Sequence, residues 1–131
     1  MQIIRRSTIN TLVFTLTEKI TLTAPFFLFE LTARQSGTKY YFTKADSSSY
    51  ADTYNQFLIE ETSSEAPTNG KISLPLVGEY YYKIYEQTSS TNLNPTLTTS
   101  TVEEGIIRVV DTVDAISTYQ LTESITVYNG I

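Results

Sequence analysis

Glu79-Tyr80-Tyr81-Tyr82-Lys83-Ile84-Tyr85-Glu86-Gln87 follows a turn at Val77-Gly78 and runs nine residues without Gly, Pro, Asn or Asp. Five of the nine are aromatic or β-branched, the side chains that fit a pleated strand best. Alternation puts Tyr80, Tyr82 and Ile84 on one face and Tyr81, Lys83 and Tyr85 on the other. Bulk on both faces marks a central strand. The polar run from Thr88 to Asn94, closed by Pro95, ends it.

Upstream of this spine the same period recurs. Leu12, Phe14 and Leu16 alternate with Val13, Thr15 and Thr17, and Ile20 to Thr23 either continues that strand or forms a short partner. Phe26 to Arg34 is the next strand, with Phe27, Phe29 and Leu31 inward. Gln35-Ser36-Gly37-Thr38 reads as a hairpin turn into Lys39 to Thr43, an antiparallel partner. Gln56 to Glu61 carries Phe57 and Ile59 on one face. Asn69-Gly70 is a turn signal before Lys71 to Leu76, where Ile72, Leu74 and Leu76 point inward. Pro75 lacks a ladder donor and places that strand at an edge or a bulge. Val102 to Asp111 follows the spine, with Gly105 a candidate bulge.

Strands at this spacing, with no amphipathic helix between them, predict an all-β fold: an antiparallel β-sandwich of about seven strands over residues 1–111. Phe14, Phe29, Phe57, Leu74, Tyr82 and Ile107 are its expected core. Residues 112–131 form a C-terminal extension. There Tyr119, Leu121, Ile125 and Val127 share one parity, and Thr118 to Tyr128 is expected to add as an edge strand, to this sandwich or to a neighbouring subunit.

Composition narrows the chemistry. The 131 residues suffice for one domain with one core, and 22 threonines, ten tyrosines and six phenylalanines bias it toward strand. Without Cys or His, the chain has no disulfide, thiolate nucleophile or imidazole base, and the catalytic triads that need them are excluded. A net charge of −5 and a pI near 4.6 disfavour nucleic acid as a partner. No apolar run reaches the ~20 residues of a membrane span, and the polar stretch after Arg5-Arg6 is no signal-peptide core. The expectation is a protein kept in a cytoplasm or leaving it by a route other than secretion.

Few residues remain as candidates for a site. Asp46 and Asp52 match no EF-hand spacing and read as a solvated loop. Glu60-Glu61 and Glu103-Glu104 are neighbours on strands, so each pair points to opposite faces and cannot flank one bond; a cross-pair such as Glu60 with Glu104 stays open. The expectation is no enzyme, no cofactor and no metal. Exposed aromatics remain: Tyr81 and Tyr85 flanking Lys83, with Tyr119 and Leu121 of the extension, are the expected partner-binding residues.

Tyr54-Asn55-Gln56-Phe57, Gly70-Lys71-Ile72-Ser73-Leu74, the run Gly78 to Gln87, Ser89 to Pro95, and Val102 to Val109 resemble small virion proteins of crAss-like and related tailed bacteriophages. The likeness covers roughly residues 9–111, and Tyr-Lys-Ile-Tyr-Glu-Gln is its most specific motif. It implies an auxiliary, or decoration, capsid protein with an immunoglobulin-like sandwich, assembled in the host cytoplasm and located on the capsid surface. Its partner would be the major capsid protein lattice, with a homo-oligomer as a further possibility and no nucleic acid or membrane. A non-catalytic adhesion or carbohydrate-binding module is the alternative. The resemblance brings no catalytic motif.

Overall fold

The structure, a computed structural model, describes residues 2–23, 25–50 and 53–111. They form eight strands: β1 (Gln2–Arg5), β2 (Ile9–Phe14), β3 (Phe26–Ala33), β4 (Lys39–Thr43), β5 (Asn55–Glu61), β6 (Lys71–Ile72), β7 (Gly78–Gln87) and β8 (Ser100–Val110). Three short 3-10 turns are the only helical elements among the described residues. One sheet has the order β1-β8-β7-β3-β4 and the other β2-β5-β6. The protein is an all-β sandwich, with the spine strand β7 at the centre of its larger sheet.

The inner faces meet through aromatic rings. Phe57 is wholly buried, with its centroid 4.9 Å from that of Phe29, 5.7 Å from Phe27 and 6.3 Å from Phe14. Phe29 in turn stacks on Phe42 at 4.9 Å. Edge and offset contacts of this kind add to the transfer of the rings out of water. Phe14, Phe29, Phe57, Leu74 and Ile107 are buried as expected.

Tyr82 is the exception. It is half-buried and its hydroxyl donates to Glu103, while Tyr80 takes the deep position and donates to the Leu76 carbonyl. The parity of the strand is right, but Tyr82 lies across β8 over Gly105, where an added Cβ would come within 2.7 Å of its ring. Gly105 is therefore required by a close approach. The register shift lies elsewhere, between Ile84 and Tyr85 of β7, opposite Val102.

Other expectations need correction. The sandwich is not purely antiparallel, since β1 runs parallel to β8 and β6 parallel to β5. Strand β1 falls in the N-terminal residues that the resemblance leaves out. It is fixed by pairing with Ile107 to Val110, about a hundred residues away. Ile20 to Thr23 forms no strand, because the amides of Thr21 and Leu22 donate to the Glu86 carboxylate instead of a ladder. Strand β6 stops at Ile72, so Pro75 lies beyond it; Leu74 stays buried, its amide held by Glu61. The extension strand from Thr118 to Tyr128 lies outside the described residues.

Removing the ring that three other rings contact should leave a cavity the rigid sheets cannot close. Phe57→Ala is expected to lower the stability by about 3–5 kcal/mol, read from the shift of a urea unfolding curve at unchanged slope. A loss below about 1 kcal/mol would mean the two sheets do not meet at this ring.

Candidate functional site: the open face of the larger sheet

Register across β4, β3, β7 and β8 sets the outward side chains in rows. Lys39, Thr32, Tyr81 and Ile106 form one; Tyr41, Glu30, Lys83 and Glu104 the next. Above them, Glu79, Arg108 and Ile3 are aligned across β7, β8 and β1. Tyr81, Lys83 and Tyr85 thus share the expected face. Tyr119 and Leu121 lie outside the described residues.

The three spine residues differ in what they offer. Tyr81 is 49% exposed, with the Arg34 guanidinium 5.3 Å from its ring centroid, a cation–π contact that fixes the ring. Lys83 is exposed and has no ion pair within the described residues. Tyr85 is half-buried and its hydroxyl donates to Glu30 Oε1 at 2.6 Å. Its hydroxyl belongs to the sheet.

Glu30 is the charge beneath this face, 5% exposed. Lys39 Nζ lies 3.0 Å from its Oε2, and Tyr41 also donates to it. Burial alone would raise its pKa, but the Tyr85, Lys39 and Tyr41 contacts hold it below the ordinary value. The same contacts act in reverse on Tyr85: burial first, then the Glu30 carboxylate, push its hydroxyl well above the usual tyrosine range. The group is a locked support, not a proton donor at neutral pH.

Above it lies an open depression of about 500 Å³ lined by Thr32, Lys39, Tyr81, Lys83, Glu104 and Ile106. Lys39, Ile106 and Arg108 carry no local sequence signal of a shared site, because only register brings them beside Tyr81. The strand alternation that placed Tyr81 outward was the one usable clue.

The remaining carboxylates are engaged in the fold. Glu86 is fully buried and accepts from Thr21, Leu22 and Ser100. Although burial opposes ionisation, these bonds keep its pKa below the ordinary value. Glu61 accepts from the amides of Ser7 and Leu74, and Glu103 pairs with Lys19. Glu60 sits on the smaller sheet near Lys71 and Glu104 on the larger, so their proposed cross-pair is split between sheets. Asp46 accepts from Ser48 N, Asn55 Nδ2 and Gln56 N at 2.7–3.0 Å, the work of a loop clamp. Asp52 lies outside the described residues. Among the described residues, no cluster of three metal-ligating side chains occurs. In the loop after β7, Asn92 bonds Gln87 and Asn94 shapes the following turn, so these polar groups hold the loop itself.

No protein-family model matches the chain, and no curated protein does. Among solved structures, a provisionally assigned glycoside hydrolase from Bacteroides vulgatus ATCC 8482 is similar over 85% of this chain, with 9% identity and a TM-score of 0.44. The chain spans only 16% of that protein's length. A likeness of this degree carries no argument about fold or activity.

Carboxyls whose folded pKa lies below the unfolded one release stability as they gain protons. Glu30, Asp46 and Glu86 all lie on that side. Stability is therefore expected to be full at pH 6 and to fall progressively below about pH 5. Glu86→Gln should unfold at a lower urea concentration at pH 7, by about 1–3 kcal/mol, and show a shallower acid slope. An unchanged slope would remove Glu86 from this role.

Proposed function

We propose that this chain is a non-catalytic structural protein of a phage virion, docking on the outer capsid surface as an auxiliary or decoration protein. One observation carries the reading. The outward face of the larger sheet exposes Tyr81, Ile106 and Ile3 together beside unpaired Lys83, while the buried carboxylates are occupied by structural hydrogen bonds. Such a face suits surface attachment, where a few apolar and aromatic anchors dominate. The sequence resemblance over roughly residues 9–111 supplies the virion setting, the major capsid lattice as partner and the immunoglobulin-like label. A fold held by packing and hydrogen bonds, with no cysteine, suits assembly in a reducing cytoplasm.

A carbohydrate-binding role is the second reading, favoured by an exposed tyrosine at the rim of the 500 Å³ depression.

The two readings separate in one comparison. Purified protein added to capsids lacking it is expected to co-sediment and saturate at a fixed ratio to the capsid subunit. Tyr81→Ala should weaken that uptake roughly tenfold or more, as loss of an interface anchor does. No co-sedimentation, together with a specific sugar retained on a glycan array, would replace the capsid reading by the carbohydrate one.

A further inference from the structure

We infer that the outer face of the larger sheet, centred on Tyr81, docks against an acidic protein surface. The inference names the surface and partner chemistry for the reading above and rests on it.

Charge is the first ground. The chain carries nine Lys and Arg against fourteen Asp and Glu. Five of those nine cations, Arg5, Arg34, Lys39, Lys83 and Arg108, lie on this one face. Three carboxylates, Glu30, Glu79 and Glu104, share it, so the face is net positive on a chain of net charge −5. Glu30 is buried under Lys39, and Glu79 lies between Arg34 and Arg108. Lys83 is left to meet an incoming anion.

Shape and polarity are the second. Tyr81, Ile106 and Ile3 are 49%, 36% and 45% exposed, and charged side chains surround them. An apolar and aromatic centre with a polar rim is the anatomy of a protein interface. Nucleic acid fits less well, because Glu79 and Glu104 stand between the cations and would face phosphates. The sheet is about 24 Å wide at ~4.8 Å per strand, and the rows from Ile3 to Tyr85 span ~20 Å, giving about 500 Å². That is under the ~800 Å² per partner of a standard interface. Each contact is then modest, and opposite charge on the partner supplies encounter rate and orientation.

The test places a photoreactive residue at the centre of the face, as Tyr81→benzoylphenylalanine, in the full chain. Illumination with capsids lacking the chain is expected to yield a crosslink, mapped by mass spectrometry, to an Asp/Glu-rich stretch of a capsid subunit. Lys83→Glu and Arg108→Glu, each folded by circular dichroism, should weaken capsid uptake roughly tenfold or more, and raised salt should weaken the unaltered chain. Leu58→Ser, on the outer face of the smaller sheet, should leave uptake unchanged. Uptake that survives both charge reversals, with no crosslink from position 81, overturns the inference and leaves the capsid reading standing. Absence of uptake by the unaltered chain sinks that reading, and this inference with it. A crosslink to residues 112–131 of the same chain, to a second copy or to nucleic acid also overturns it, since the face then has another occupant.

Discussion

The two sheets are joined through the ring of Phe57. It rises from β5 of the smaller sheet into the space between Phe27 and Phe29 of the larger one, with Phe14 beside it. Packing at interior density between these rings fixes the distance and rotation of the layers. Everything outward of them follows. With the inner face of β7 committed to Tyr80 and Ile84, alternation leaves Tyr81 and Lys83 no place but the outside. The open face is a by-product of the core.

Buried polar side chains then tie the loops to that frame. Glu86 holds the chain between β2 and β3, Glu61 holds the turn after β1 and the stretch beyond β6 at Leu74, and Asn55 with Asp46 holds the segment before β5. Each carboxylate meets several donors, which offsets its desolvation, and these bonds hold Asp46 and Glu86 below the ordinary carboxyl range. A buried polar group left unsatisfied would cost more than a typical hydrogen bond contributes. These residues are chemically potent types used as clamps.

Local pattern made much of this legible. Strands β2, β3, β4, β5, β7 and β8 announce themselves by two-residue alternation, and the Gly37 and Gly70 turns by backbone chemistry, both residues having positive φ. Strand β1 did not, because four residues have no period to show and its partner lies at Ile107 to Val110. Ile20 to Thr23 has the alternation of a strand but is claimed by Glu86, a residue 65 positions away from Thr21. The candidate site divides in the same manner. The facing of Tyr81 and Lys83 is local information, whereas the Glu30 bond that engages the Tyr85 hydroxyl spans 55 residues. Depth fails where parity succeeds, as Tyr80 and Tyr82 show: distance from the sheet centre is set by neighbours such as Gly105, not by period.

Under the proposed function, the outer face of the larger sheet is the working surface of a virion protein, while the buried carboxylates serve the fold. An electron cryomicroscopy reconstruction of the virion containing this chain tests that most directly. The account predicts copies at regular capsid positions, each turned so that Tyr81, Lys83 and Ile106 meet the capsid subunit and the smaller sheet faces solvent. Copies seated with Tyr81 in solvent, or a capsid without any copies, would contradict it.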